Sequence, residues 1–327
     1  MTNQTFAHLK ALSNQDGKDF PTKRIALLAD TSSQYLAKAI RGEGISRSLN
    51  LELFEADYNQ IELQLFQPGS ELQEFSPETV IVYQDVTKLR RSFHKVAPSE
   101  RSVFAEQQIA SVERYYEAAT KAGASSFLYC NFPVLPDAVF GNFANKTDDS
   151  FVWQSRELNL GVMKMASKLA GFHVCDVSAL AARIGYERAL DRRMYVNADV
   201  AMSFDFLPVV AQNVVDVLLS LQGKVKKCLI LDLDNTVWGG VIGDDGMANI
   251  QLGDLGVGKA FTDLQLWAKQ LATRGIILAV CVVRTPSPSQ SSRSKSIRTW
   301  CCGWTTLLSS LRTGTTSPTT FGTSSRF

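Results

Sequence analysis

Residues 228–234 read Cys-Leu-Ile-Leu-Asp-Leu-Asp, an apolar run that predicts a buried strand ending in two carboxylates. The strand is followed by a Gly-rich loop at 239–258, an amphipathic helix at 259–274 and a second apolar strand at 276–281. Side chains two apart on an extended backbone point the same way, so Asp232 and Asp234 face one pocket beyond the strand's carboxyl end. Ligands bind at that end in open α/β sheets. The stretch therefore predicts a β-loop-α-β unit with a polar site at its edge.

Two carboxylates at a strand end suit phosphoryl transfer. One can attack phosphorus and help to hold a divalent metal ion, while the other moves the proton. The alternative is a strand-ending acidic turn without chemistry, because Asp-x-Asp triplets are common. The whole run from Leu231 to Gly243 favours the functional interpretation.

The segment Lys227-Cys-Leu-Ile-Leu-Asp-Leu-Asp-Asn-Thr-Val-Trp-Gly-Gly-Val-Ile-Gly-Asp-Asp-Gly246 resembles the haloacid dehalogenase superfamily, subfamily IIIC, in its FkbH-like branch. The likeness continues through Lys259–Cys281. It implies the first β-loop-α-β unit of a Rossmann-like dehalogenase domain and an enzyme, a phosphatase (hydrolase) or glyceryl transferase that forms an aspartyl phosphate with Mg²⁺. The implied partners are a phosphorylated glycerate donor and an acyl carrier protein.

The same resemblance assigns roles to five residues. Asp232 would be the nucleophile and Asp234 the acid/base, and both would hold the metal. Asn235 and Thr236 would orient the loop and the phosphate, and Cys281 falls where this branch places a cysteine proposed to carry the acyl group. On its own, Cys281 reads as a buried strand thiol.

The preceding part of the chain alternates short apolar runs with amphipathic stretches. Strands are predicted at 25–29, 51–56, 79–83, 126–130 and 172–177, and helices at 33–42, 102–121, 155–170 and 205–222. Strands that are apolar on both faces and joined by helices predict a parallel sheet with helices on both sides. The predicted domains are an extension at 1–20, this α/β domain at 21–222, a truncated dehalogenase-like domain at 223–281 and a tail at 282–327.

The domain at 21–222 resembles the SGNH-hydrolase-like, flavodoxin-like accessory domain of the same family. The supporting runs are Ile25-Ala-Leu-Leu-Ala-Asp-Thr-Ser-Ser-Gln34, Phe54-Glu-Ala-Asp-Tyr-Asn-Gln60 and Val139-Phe-Gly-Asn-Phe-Ala-Asn-Lys146. Where SGNH esterases have a nucleophilic serine, this chain has Asp30-Thr31, a degenerate position.

The late Asp-x-x-His pair of those esterases has no counterpart, since the histidines are His8, His94 and His173. A triad without its base cannot activate a hydroxyl. We therefore expect a non-hydrolytic domain. The alternative function for the whole chain is a non-catalytic module that binds a carrier protein or another partner through this domain. The run Lys88-Leu-Arg-Arg91 is interpreted as a solvated face.

Residues 282–327 differ in composition from the rest of the chain, with 21 Ser or Thr among 46 residues, six basic residues and no acidic ones. Such composition is typical of a disordered tail. In the family the strand continues Ser-Lys-Asn, whereas here it continues Val282-Val-Arg-Thr285. Permitted codons for Arg298–Phe321, read two nucleotides later, give a family-like sequence. We therefore expect a frameshifted, truncated C-terminus and impaired phosphoryl transfer.

Composition excludes several classes of function. The chain has a net charge of +2, and the body before the tail is mildly acidic, so no nucleic-acid surface is predicted. No apolar run approaches the ~20 residues of a membrane span, and the polar first 18 residues do not predict a secretory signal. The six cysteines lack metal-ligand spacing, which indicates free thiols in a reducing, cytoplasmic compartment.

Overall fold

The computed structural model describes residues 4–246, 248–284 and 294–299. The chain divides into two units, Met1–Gly223 and Lys224–Phe327. The first unit is built on a five-stranded sheet and the second on a three-stranded sheet.

All strand pairs in the sheet of the first unit are parallel. The strands are β1 (Thr22–Ala29), β2 (Asn50–Glu55), β3 (Thr79–Tyr83), β4 (Ser126–Cys130) and β5 (Phe172–Cys175). Their order across the sheet is β2-β1-β3-β4-β5, the flavodoxin-like order. This confirms the predicted α/β fold class. The chain leaves β1 toward β2 on one side and returns to β3 on the other, so the switch in direction lies between β1 and β3.

Within residues 4–223, eleven helices cover the sheet or connect its strands. They are α1 (Phe6–Leu12), α2 (Gln34–Ser46), α3 (Ile61–Phe66), α4 (Glu71–Phe75), α5 (Val86–Lys95), α6 (Phe104–Lys121), α7 (Phe151–Lys168), α8 (Val177–Ile184), α9 (Tyr186–Ala189), α10 (Arg192–Ala198) and α11 (Leu207–Leu221), with short 3₁₀ helices at Pro98–Val103 and Gly141–Asn145. In the described part of the chain, no helix has both the length and the apolar character needed to cross a bilayer.

Two boundaries differ from the sequence prediction for the same reason. Helix α7 begins at Phe151 rather than 155, because the Ser150 hydroxyl accepts a hydrogen bond from the Trp153 amide at 3.1 Å and caps the helix. Strand β5 ends at Cys175 rather than 177, because Asp176 caps α8 by accepting from the Ala179 amide at 3.0 Å.

Each face of the sheet carries its own core. Ile25 and Leu27 of β1 belong to a cluster that includes residues of α2 and α11. Ala26 and Leu28 belong to a second cluster with residues of α5, α6 and α7. This alternation follows from the two-residue period of a strand, and it means that the first unit buries both faces of its sheet.

Helix α1 approaches the backbone of α2 closely at Gly42. A Cβ atom there would stand 2.0 Å from the carbonyl oxygen of Leu9. Only glycine permits this approach, so the packing of the N-terminal helix depends on a missing side chain.

The second unit contains β6 (Cys228–Asp232), α12 (Ile242–Asp245), α13 (Gly256–Thr273), β7 (Ile277–Arg284) and β8 (Ser294–Thr299). Strands β6 and β7 are parallel, and β8 is antiparallel to β7. Buried members of its core include Leu231, Trp238 and Ala268.

The structure differs from the sequence prediction in part of the tail. Strand β7 continues through Val282 and Val283, and β8 pairs with it, although no strand was predicted beyond Cys281. Two successive β-branched residues favour an extended backbone, and the edge of β7 offers unpaired N–H and C=O groups to another strand. The remaining tail residues, 285–293 and 300–327, lie outside the described residues, and so does most of the segment used to infer a frameshift.

Candidate active site

The two predicted carboxylates lie at the carboxyl end of β6. Asp232 is the last residue of the strand and Asp234 follows two positions later, and both residues are exposed. In the parallel ladder, the Cα atom of Asp232 pairs with that of Cys281 in β7. The fold therefore places the backbone of Cys281, inside β7, beside that of Asp232 at the end of β6, with Asp234 two residues further along the chain.

Asp234 is held by two donors that reach the same oxygen. The indole Nε1 of Trp238 donates to Oδ1 at 3.0 Å, and the amide of Ile242 donates to it at 3.3 Å. Within the described residues, no protein donor reaches Oδ2 of Asp234. The carboxylate is thus fixed through one of its two oxygens.

The loop after the carboxylates depends on Asn235. Its backbone adopts a left-handed φ of 54°, which asparagine tolerates better than most residues. Its Oδ1 accepts from the Gly240 amide at 2.9 Å, and its own amide donates to the Gly240 carbonyl at 3.3 Å. The half-buried Thr236 lies within this turn, and its amide donates to the Leu233 carbonyl at 3.3 Å.

Gly239 allows a close approach between the loop and a downstream segment. Its backbone exchanges hydrogen bonds of 3.0 and 2.8 Å with Gln251. A Cβ at this position would lie 2.8 Å from Gln251 Oε1 and 2.9 Å from the ring of Phe261. A side chain here would therefore separate the two segments.

Two residues that hold the loop had no assigned role in the sequence analysis. Trp238 lies inside the motif Lys227–Gly246, where the resemblance assigns it no role. Gln265 of α13 is buried, and its Nε2 donates to the carbonyl of Val237 at 2.8 Å. A polar residue on the inner face of an amphipathic helix is the signal that could have identified Gln265.

The donor chemistry of this strand end fits Mg²⁺ in part. Mg²⁺ prefers oxygen ligands and is usually held by one or two carboxylates together with water and substrate phosphate. Asp232 and Asp234 supply two carboxylates. Across the residues that the structure describes, no group of three His, Cys, Asp or Glu side chains could hold a metal ion. This strand end therefore supplies two of the oxygen ligands that such an ion prefers.

A second polar cluster lies at the carboxyl ends of β1 and β3. Asp30 follows β1, and its Oδ1 accepts from the Asp85 amide at 2.9 Å. Asp85 follows β3 and caps α5 by accepting from the amides of Thr87 and Lys88 at 2.8 and 3.1 Å. Burial raises the pKa of Asp30 to about 7 and also raises the pKa of Asp85.

Thr31 has no partner that could activate its hydroxyl. The residue is 1 % exposed, and its Oγ1 has no hydrogen-bond partner among the described residues. The three histidines are located in α1, α5 and β5. Thr31 thus lacks the base that a serine-type nucleophile requires, while the expectation of a non-hydrolytic domain stays a prediction.

Comparison with known proteins gives a consistent result. A family described as "FkbH, N-terminal domain" matches residues 24–219. The crystal structure of the N-terminal part of the protein BF1531 from Bacteroides fragilis, described as containing a phosphatase domain complexed with Mg, is 40 % identical in sequence. The match covers 86 % of this chain and 74 % of that chain, with a TM-score of 0.82.

More distant likenesses involve acyl-ester enzymes. The acetyl xylan esterase AlAXEase is 14 % identical with a TM-score of 0.38, covering 60 % of this chain and 99 % of that chain. The C-terminal catalytic domain of Streptococcus pneumoniae peptidoglycan O-acetyltransferase A is 10 % identical with a TM-score of 0.35, covering 62 % and 96 %. Neither reaches the level at which a shared fold can be inferred. No curated protein matches the chain.

Proposed function

This chain belongs to the FkbH family, and from that membership we propose that its second unit carries the aspartate pair of a Mg²⁺-dependent phosphoryl-transfer site. The observation that carries the proposal is the geometry of Asp234. Its carboxylate is oriented by Trp238 and Ile242, two residues after an exposed Asp232 at the end of a parallel strand. The 40 % identical relative, described as containing a phosphatase domain complexed with Mg, supports the same chemistry.

In the proposed reaction, the carboxylate of Asp232 attacks phosphorus and forms an aspartyl phosphate. The leaving group departs with a proton from Oδ2 of Asp234, the oxygen that receives no protein donor in the described residues. Asp234 then accepts a proton from the water that attacks the aspartyl phosphate and releases inorganic phosphate. Bound Mg²⁺, held by Asp232 and Asp234, would neutralise charge on the transferring group.

The glyceryl-transfer form of the function adds a role for Cys281. Its backbone pairs with that of Asp232 in the ladder, which is compatible with a shared site. We propose that its thiolate would attack the carbonyl carbon of a glycerate whose carboxyl group is phosphorylated, so that the C–S bond forms as the bond to the departing phosphate breaks. The resulting thioester would then pass the glyceryl group to the thiol of an acyl carrier protein.

Turnover by the 327-residue chain is proposed to be low. Val282-Val-Arg-Thr285 stands where the family has Ser-Lys-Asn, so the serine that would contact phosphate after the second strand is missing from that position. Loss of one preorganised electrostatic contact reduces rates by roughly 10²–10³-fold. Restoring the family reading frame after Cys281 should therefore raise the rate of phosphate release.

The site can be tested without turnover by using beryllofluoride, which mimics a phosphoryl group on an aspartate. With Mg²⁺ present, ¹⁹F NMR should show a bound signal for this chain and none for Asp232→Asn. Asp263→Asn, which changes an exposed aspartate on α13, should bind as the unmodified chain does. Absence of Asp232-dependent binding would contradict the proposed site. Rapid Asp232-dependent hydrolysis of an aryl phosphate by the 327-residue chain would contradict only the proposal of low turnover.

A second candidate is a non-catalytic module that binds a carrier protein through the first unit. The observation that favours it is the buried Thr31 hydroxyl, which has no activating base. Binding of an acyl carrier protein by residues 1–223 alone, measured by calorimetry, would support this function. The failure of those residues to bind while the full chain binds would contradict it.

A further inference from the structure

In one loop of the first unit, the residues at the two ends of the loop are hydrogen-bonded to each other. Residues 190–202, here called the strap, contain α10 and are joined at their base. Leu190 and Met202 form an antiparallel bridge, and the amide of Asp191 donates to the Ala201 carbonyl at 3.0 Å. At the far end of α10, Asp199 adopts a left-handed φ of 52°. The strap is therefore anchored at its base and presents Asp199 at its tip.

The tip of the strap is tied to the loop that follows β1 and to α5. The Ser32 amide donates to the Asp199 carbonyl at 3.1 Å, and the Ser32 hydroxyl donates to the Ala198 carbonyl at 2.9 Å. Lys88 of α5 forms an ion pair with Asp199, with 2.9 Å between Nζ and Oδ2. These contacts hold the strap against the carboxyl end of β1.

Lys88 is the common partner in this arrangement, and it is partly buried rather than on the solvated face that the sequence suggested. Its Nζ also donates to the backbone carbonyl of Asp30 and, at 2.7 Å, to the hydroxyl of Tyr58. Burial acts to lower the pKa of Lys88, but the hydrogen bond with Tyr58 and the negative charges of Asp199 and Asp30 together raise that pKa. One ammonium group thus connects the strap to two strand-end loops.

We propose that the strap is a proton-controlled cover, held closed by the Lys88–Asp199 ion pair while Asp30 is protonated and released when Asp30 ionises. An ionised Asp30 would place a third carboxylate beside Asp85 and Asp199, with a single ammonium to balance them. The ionised Asp30 would repel Asp199 and compete with it for the ammonium group of Lys88. It would also need hydration, which the partly buried position of Asp30 limits.

The direction of the pH dependence follows from the pKa of Asp30. With the strap closed, burial raises that pKa to about 7, whereas a solvated aspartate has an ordinary value of 3.8. The closed form therefore binds the proton more tightly than the open form. The free energy by which this proton favours the closed strap is largest below pH 4. It falls as the pH rises toward 7 and is constant above 7.

The other titratable groups near Asp30 do not reverse the expected loss of strap closure between pH 4 and 7. Burial raises the pKa values of Asp85, Tyr83 and Tyr195. The charged and titratable groups around Asp30 are Tyr58, Tyr83, Asp85, Lys88, Arg91, Tyr115, Tyr129, Tyr195 and Asp199. Asp85 works in the same direction as Asp30, because its ionisation adds negative charge near Asp199.

The Ser32 amide provides a direct probe, because its hydrogen bond to Asp199 exists only when the strap is closed. Hydrogen exchange of the full chain should be measured by NMR between pH 5 and 8, with each rate divided by its intrinsic rate. We expect the protection of Ser32 to fall by at least tenfold between pH 5 and 7.5, since one pKa unit corresponds to a tenfold change. The amide of Ile81 in β3 serves as an internal reference and should keep its protection.

Three variants separate this mechanism from general loosening. Asp30→Asn, whose amide oxygen can still accept from the Asp85 amide, should keep Ser32 protected across the pH range. Asp199→Asn, which loses the ion pair, should lower Ser32 protection at pH 5 as well. Glu43→Gln removes another buried carboxyl with a raised pKa, in α2, and should leave the pH dependence of Ser32 unchanged.

Several results would overturn the proposal. They are constant Ser32 protection from pH 5 to 8 in the unmodified chain, an equal loss of protection at Ile81, or a retained pH dependence in Asp30→Asn. If Asp30→Asn does not fold, carboxyl ¹³C NMR of the unmodified chain decides instead. An Asp30 titration midpoint near 4 would contradict the proposal, because Asp30 would then already be ionised at pH 5 with the strap closed.

Discussion

The indole nitrogen of Trp238 lies 3.0 Å from Oδ1 of Asp234, and the ring that carries it is buried in the core of the second unit. A side chain that is 3 % exposed therefore orients one that is exposed to solvent. The position of the proposed acid/base thus depends on the packing of this core.

Replacing Trp238 with Phe should loosen the loop at the end of β6. The change removes a hydrogen bond to a charged group, which contributes about 1.5–3 kcal/mol, and leaves apolar packing largely in place. Hydrogen exchange at the Ile242 amide, the second donor to Asp234, should become faster. Trp267→Phe, which alters a half-exposed ring on α13, is the matched control. Equal rates in both variants would show that the indole hydrogen bond does not hold the loop.

Gly42→Ala should destabilise the first unit. The added methyl group would meet the Leu9 carbonyl of α1, and backbone atoms cannot move aside as a side chain can. We expect a loss of about 1–3 kcal/mol in the free energy of unfolding, as for other overpacked sites. At Gly161 of α7 the nearest atoms belong to the side chain of Ile109, so Gly161→Ala should cost less. Urea unfolding of both variants measures the difference, and a smaller loss for Gly42→Ala would contradict this argument.

Glu43→Gln should change how folding stability depends on pH. Burial raises the pKa of Glu43, while the nearby Arg47 acts to lower it. The folded chain therefore holds this proton more tightly than the unfolded chain. The resulting stabilisation is complete below the ordinary value of 4.5 and is lost as the pH rises. Relative to the unmodified chain, the variant should gain stability between pH 4.5 and 7.5, as measured by urea unfolding at both values. A constant difference in stability would count against the raised pKa.

Residues 1–223 should fold without the second unit. Their five-stranded sheet is buried on both faces by their own helices, in two separate clusters. Urea unfolding of this fragment should be cooperative, with a single transition by both fluorescence and circular dichroism. Two transitions that do not coincide would show that the fragment lacks a complete core.

The bounds of the central strands β3 and β4 were the part of the fold that the sequence predicted best. The predicted bounds of 79–83 and 126–130 coincide with β3 and β4, because uninterrupted apolar runs between polar segments have one arrangement that buries them. Strand β8 was not predicted, since Ser294–Thr299 has no apolar pattern and gains its structure from the edge of β7.

Interactions between distant positions in the sequence could not be predicted from local patterns. Lys88 follows the pattern of an exposed basic helix, yet its partners Asp30, Tyr58 and Asp199 come from three other segments. The aspartate pair was easier to identify, because Asp232 and Asp234 are neighbours on one strand end. The roles of Trp238 and Gln265 became apparent only from the folded loop.

The alternation of side chains along β1 assigns residues that are adjacent in sequence to two different side-chain clusters. Leu27 and Leu28 are consecutive, but each shares its core with residues the other does not touch. Leu28 pairs instead with Val82 across the ladder, within one cluster. Truncations at Leu27 and Leu28 should thus be additive, whereas truncations at Leu28 and Val82 should show a coupling energy of about 0.5–3 kcal/mol. In this sheet, we therefore expect epistasis to follow the face on which a residue lies and not its place in the chain.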